Sequence, residues 1–224
     1  MAEELLHGEG FTKVHYVQVS SSGGAPAYQA LAAGEADFLN DLAPQMITYV
    51  DAGTPLTILS GLHIGCYELV GTERVRAIHD LKGKSVAVAG LGSPPHLFLA
   101  SMAAYVGLNP RTDITWVTHP AAEAKQRLAD GEIDALMAFA PDGQELRARQ
   151  IGHVVVNSAV DRPWSQYFCC MVAANRAFVQ KSPVAAKRAL RALLKAADVC
   201  ALEPDRAAQS LVDKGVAPRY DYAL

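Results

Sequence analysis

The sequence contains no basic run: its 20 Lys and Arg are scattered among 23 Asp and Glu, for a formal net charge of −3. Without clustered cations there is no electrostatic footprint for a phosphate backbone, so nucleic acid is not an expected partner. No apolar stretch approaches the roughly 18 residues that crossing a bilayer takes, and Met1-Ala2-Glu3-Glu4 is acidic where a signal peptide is basic. The four cysteines, Cys66, Cys169, Cys170 and Cys200, form neither a CxxC nor the Cys/His spacing of a zinc site, so no metal and no cofactor are expected. Cys169 and Cys170 lie in the apolar run 167–172 and read as buried thiols acting as small hydrophobes. What remains is half hydrophobic and 19% charged over 224 residues, the profile of a folded globular chain with one large domain or two small ones.

Strand-like and helix-like segments alternate. A short helix at residues 2–6 ends at Gly8 and Gly10, and Lys13 to Val19 alternates like a strand. A polar turn, Ser20-Ser21-Ser22-Gly23-Gly24, precedes a helix through Tyr28 and Leu31 that stops at Gly34. Ala36 to Leu39 reads as a strand with Asn40-Asp41 as its polar stop, and Pro44 opens the next helix. Apolar runs at 56–62, 66–70, 85–89, 114–117, 133–138 and 154–156 read as strands, with helices between most of them. This alternation implies an α/β fold with doubly wound, mostly parallel sheets and flanking helices.

The pattern is duplicated. Leu31-Ala32-x-Gly34-Glu35-x-Asp37 recurs as Leu128-Ala129-x-Gly131-Glu132-x-Asp134, and Pro44 recurs as Pro141, at a constant offset of 97 residues (34 to 131, 37 to 134, 44 to 141). A glycine C-cap, an acidic turn, a buried strand and a proline-opened helix thus occur twice, which predicts two similar lobes. The expected division is residues 1–66 for the first lobe and 67–166 for the second, with 167–224 returning to pack helices on the first. Two crossings near 66–70 and 167–174 would make a hinge.

In open parallel sheets ligands bind beyond the carboxyl ends of strands, where helix N-termini present amide groups. The turn with Ser21, Ser22 and Gly23 is either an oxyanion receptor or ordinary helix capping. Gly92, Ser93 and His96 occupy the matching place in the second lobe, His96 being either an anion contact or a surface residue. Asn40 and Asp41 end one short strand and Phe139 ends its counterpart; Asp41 either grips an amine-like group or caps the helix that follows. Cys66, Tyr67, Trp164 and Tyr167 lie by the crossings, where the aromatics either close over a flat ligand or fill a core. Gly90-Leu91-Gly92 is not a dinucleotide fingerprint, because Pro95 takes the third glycine position, and the same proline rules out a nucleophile elbow at Ser93.

The order of these segments, together with Gly34-Glu35-Ala36-Asp37-Phe38, Gly65-Cys66-Tyr67-Glu68-Leu69, Asp80-Leu81-Lys82-Gly83-Lys84 and Gly107-Leu108-Asn109-Pro110, resembles the nitrate/sulfonate/taurine class of periplasmic solute-binding proteins of ABC importers. The resemblance implies a type II periplasmic-binding fold and a small polar or anionic solute held between the lobes. It also implies a periplasmic monomer, delivery to an inner-membrane ABC permease, and no catalysis. Members of that class carry an export signal, a first strand and further C-terminal helices, so the chain is expected to be a fragment. A pyrimidine-precursor synthase, menaquinone-pathway lyases and ligand-sensing modules share the fold by resemblance, and fold alone does not separate them.

Overall fold

The computed structural model describes residues 2–17, 24–217 and 219–223. The chain divides into two compact units, one of residues 1–63 and 168–216, the other of residues 64–167 and 217–223. No helix among the described residues is long and apolar enough to cross a membrane.

In the first unit, α1 (Ala2–Gly8), α2 (Ala25–Ala33), β1 (Phe38–Leu42), α3 (Ala43–Asp51) and β2 (Leu56–Ile64) follow in order. The second unit holds β3 (Tyr67–Gly71), β4 (Lys84–Val88), α4 (Pro94–Tyr105), β5 (Ile114–Thr118), α5 (Ala121–Ala129), β6 (Ala135–Phe139), α6 (Asp142–Ala148) and β7 (His153–Asn157). The chain then forms β8 (Phe168–Asn175), α7 (Arg176–Lys181), α8 (Pro183–Leu202), α9 (Pro204–Asp213) and α10 (Tyr220–Ala223). Sheet order is β1-β8-β2 in one unit and β5-β4-β6-β3-β7 in the other.

The strands between helices run parallel, and the crossing strand of each sheet runs against them. β4 is parallel to β5 and β6, whereas β3 is antiparallel to β6 and β7. β8 is antiparallel to β1, with Leu42 opposite Cys170 and Asp41 opposite Met171. Its far end lies by the start of β2, where the Arg176 N–H donates to Pro55 O, and its near end meets Gly61, where a Cβ would collide with the Phe168 ring.

The duplication read from the sequence is reproduced bond for bond. Glu35 N–H donates to Ala30 O and Glu132 N–H to Arg127 O, both at 2.9 Å. Asn175 N–H donates to Asp37 O at 3.0 Å and Thr72 N–H to Asp134 O at 2.9 Å. Gly34 and Gly131 take left-handed φ values of 77° and 71° to end their helices. Equivalent positions build both cores: Leu31, Leu39, Tyr49 and Ala173 in one, Leu128, Leu136, Leu146 and Val70 in the other.

Three sequence expectations need correction. Residues 13–17 form no strand; Tyr16 and Val17 are 64% and 43% exposed, and alternation without a neighbouring ladder does not make a sheet. Asn40 and Asp41 do not stop β1 but lie inside it, paired with Val172 and Met171, because β8 extends the ladder past them. Cys169 is disulfide-bonded, as is Cys66, and only Cys170 and Cys200 keep thiols. The helix α8 packs against α1, α7 and α9. Its buried stripe of Ala186, Ala189 and Ala192 allows close approach, and Arg191 grips Glu9 through Nε at 2.7 Å and Nη2 at 2.5 Å.

Candidate functional site

In the first unit the candidate residues gather where β1 ends beside the start of β8. Asp41 Oδ1 accepts from the Leu42 N–H at 2.7 Å, while its Oδ2 is buried with no hydrogen-bond partner among the described residues. Beside it stands Tyr28 of α2, 1% exposed, whose hydroxyl makes no hydrogen bond of normal geometry among the described residues but lies close enough to the Asp41 carboxylate to interact with it. The Tyr28 ring is fixed by stacking on Tyr49 of α3, centroids 3.7 Å apart and planes 11° from parallel. Burial raises the Asp41 carboxyl above its usual range, against the pull of the Leu42 amide, and raises the Tyr28 phenol with help from the Asp41 charge. Cys170, opposite Leu42 on β8, has its thiol pushed up to about 11 by burial and by Asp41. Asn40 is exposed one residue earlier on β1. Ser21, Ser22 and Gly23 lie outside the described residues.

In the second unit the carboxyl ends of β4, β5, β6 and β7 share one edge of the sheet with the start of β3. Tyr67 faces Phe139 across the β3/β6 ladder, rings 5.5 Å apart. From there an aromatic chain runs through Phe98 (5.6 Å from Tyr67) to Trp164 (6.3 Å) and on to Tyr105 (5.2 Å). Tyr67 and Trp164 are its buried members, at 3% and 9% exposure, while Phe139 and Tyr167 stand open at 46% and 61%. Tyr67 and Trp164 are thus enclosed, whereas Phe139 and Tyr167 are accessible apolar faces. Cys66 and Tyr67 both donate their amides to the Ser158 hydroxyl, at 3.2 and 3.0 Å, which fixes the turn into β3.

The turn before α4 holds Gly92, Ser93 and His96. Ser93 does not cap the helix; its hydroxyl donates to Gly90 O at 2.5 Å. Pro94 and Pro95 fill the first turn, so two of the amides that make a helix N-terminus attractive to anions are absent. The remaining donor of interest is His96. Its Nδ1 accepts from the Gly92 N–H at 3.0 Å, which leaves the ring proton on Nε2, and burial lowers its pKa. The imidazole also meets Trp116 edge to face, centroids 4.6 Å apart. At neutral pH this loop offers a neutral donor and no cation.

Sequence reasoning missed Tyr28, Tyr49, Cys170 and Phe98. Tyr28 was legible in the duplication, because the same offset places it against Lys125, a charge where a core residue belongs. Lys125 is 9% exposed and held by Asp142 at 2.8 Å and by Glu145.

The chain thus holds a three-stranded sheet with β8 between β1 and β2 and a mixed five-stranded sheet, both flanked by helices; the fold is that of periplasmic binding proteins, and solved structures of that class superpose on the chain. The alkanesulfonate-binding protein SsuA of Xanthomonas axonopodis pv. citri, bound to MOPS, is 23% identical with a TM-score of 0.71, over 98% of this chain and 75% of its own. The aliphatic sulphonate binding protein SsuA of Escherichia coli is 18% identical with a TM-score of 0.78, over 98% and 70%. The nitrate-binding protein NrtA of Synechocystis PCC 6803 is 18% identical with a TM-score of 0.67, over 93% and 60%. The chain spans about two thirds of the length of such proteins. No curated protein matches it. The model of the NMT1-like family matches residues 4–213, and the chain belongs to that family.

Proposed function

We propose that this chain is the solute-binding component of an ABC-type importer. It carries a small polar or anionic solute of the nitrate, sulfonate, taurine or thiamine-precursor kind to an inner-membrane permease, as a monomer in the periplasm. The observation that carries the reading is the position of the candidate residues. In each unit they collect where parallel strands end and the crossing strand begins, Asp41 with Tyr28 in one and Phe139 with His96 in the other. Sheets of this kind bind ligands at that edge. The disulfide-bonded state of Cys66 and Cys169 fits an oxidising compartment. The structural neighbours named above are binding proteins, and their fold supports the same role here.

The test is a thermal-shift and calorimetric screen of the protein against sulfonates, nitrate, taurine and pyrimidine thiamine precursors. A solute present at about 100-fold over its Kd adds roughly 2.7 kcal/mol of stability. His96→Leu, which removes the Nε2–H donor, is expected to weaken that solute by about tenfold, the cost of one lost hydrogen bond. A screen in which no solute of these classes shifts the melting point sinks the proposal.

A further inference from the structure

The Asp41 carboxylate is the least explained group in the molecule. It lies in the middle of a strand ladder, with one oxygen satisfied by the Leu42 amide and the other buried without a hydrogen-bond partner among the described residues. Burial raises its pKa, the Leu42 amide and a weak interaction with the Tyr28 hydroxyl oppose that rise without overcoming it, and no cation is among the influences on it. A carboxylate taken out of water without a counter-charge is costly and is retained where something supplies the missing donor. The scaffold itself does not require one, because the equivalent position of the duplicated strand is Ala138, 3% exposed and packed in an apolar core. Tyr28 is enclosed with it: its hydroxyl makes no hydrogen bond of normal geometry among the described residues and has the Asp41 carboxylate as its polar neighbour, while its counterpart Lys125 is ion-paired with two carboxylates.

An oxyanion brings acceptors only, and an acceptor beside the bare Asp41 oxygen is repelled. An ammonium, amidine or exocyclic amine brings N–H donors, which satisfy a carboxylate and a phenol oxygen together. We infer that Asp41, with Tyr28 beside it, is the specificity-determining anchor for an N–H donor on the solute, so that aminated solutes are preferred over plain oxyanions such as nitrate. The inference rests on the solute-binding reading and narrows it.

Two matched pairs serve as probes: 2-aminoethanesulfonate with ethanesulfonate, and 4-aminopyrimidine with pyrimidine. Each is titrated calorimetrically into the full chain and into Asp41→Asn. In at least one pair the aminated member is expected to bind the native chain more tightly by about tenfold, falling to within about threefold in the variant. Equal binding within both pairs, or a preference that survives in Asp41→Asn, overturns the anchor and leaves solute binding standing. Silence of all four probes counts against both readings together. The unliganded proteins provide a readout without a solute. A melting point of Asp41→Asn equal to or above the native one supports an uncompensated carboxylate. A lower one assigns Asp41 to holding Tyr28 in place and overturns the inference.

Discussion

Residues 25–56 and 121–151 build the same turn and strand, but the two copies close that turn with different side chains. Asp37 is exposed and contributes its backbone carbonyl, which accepts from the Asn175 N–H. The turn around it is tied by Asn175, whose Nδ2 donates to Leu31 O at 2.7 Å and whose Oδ1 accepts from Phe178 N at 2.9 Å. In the other copy Asp134 does this with its own carboxylate, which accepts from the Ser85 amide and hydroxyl at 2.9 Å each and from Arg74 Nε at 2.5 Å. A duplicated scaffold thus fixes where a bond must be made and leaves open which residue makes it. Positions that no longer need to serve the scaffold become available for other work, and Asp41 against Ala138 is the clearest example.

The largest expected effect follows from that exchange. Asp134→Ala strands two part-buried Ser85 donors and the Arg74 guanidinium, for a loss of about 2 kcal/mol, most of it from Ser85 because the arginine is half exposed. Asp37→Ala, at the same position of the other copy, is expected to change stability by less than about 0.5 kcal/mol. Urea unfolding of the two variants against the native chain measures both. Equal losses would show that the copies share a mechanism after all.

A second contrast sets Asp134 against Asp41 and is read by pH. Burial alone would raise the Asp134 carboxyl, but the Ser85 amide, Arg74 and the Ser85 hydroxyl outweigh it and hold the group below its usual range. Its contribution is therefore present above the unfolded value, about 3.9, and fades as pH falls below that. Asp41 is shifted the other way. Its ionisation opposes folding at neutral pH, and the penalty is relieved as pH falls through its raised value. The deficit of Asp134→Asn should shrink only at acid pH, whereas any advantage of Asp41→Asn should begin to shrink at higher pH. Unfolding midpoints taken from pH 7 to pH 3 test this, and a single shared pH range for the two would break the contrast.

The scaffold was legible and the polar content of the site was not, for a physical reason. Glycine C-caps, Pro44 and Pro141, and the spacing of Leu31 and Leu128 are local signals, and each has its effect within a turn of helix or a strand. The environment of Asp41 depends on β8, about 130 residues away in the sequence, and nothing local says that its second oxygen is enclosed. Ser93 shows the same limit on a smaller scale: a serine before a helix usually caps it, but here the Gly90 carbonyl takes its hydroxyl. The failed strand at residues 13–17 shows the limit of alternation, which specifies a face without guaranteeing a neighbour.

The smallest expected effect isolates backbone conformation from everything else. Gly53 ends α3 at φ 81° and Gln150 ends α6 at φ 56°, 97 residues later, and the following residue in each copy reaches back in the same way, Thr54 N–H to Tyr49 O and Ile151 N–H to Leu146 O. Gln150 is the one non-glycine residue with positive φ among those described, and it is exposed, so its side chain offers little packing in return. The left-handed region costs a residue with a Cβ about 1–2 kcal/mol, while glycine at the same place gives up about 0.5–1 kcal/mol through its freer unfolded chain. Gln150→Gly is therefore expected to gain about 0.5 kcal/mol. Gly53→Ala is expected to lose about as much, and sterics do not confuse the result because a Cβ there meets nothing within 4 Å. Paired denaturant midpoints with opposite signs would show that the two copies differ at this turn only in the residue that occupies it. A loss in both would mean that Gln150 holds α6 by a contact the Gly53 turn lacks.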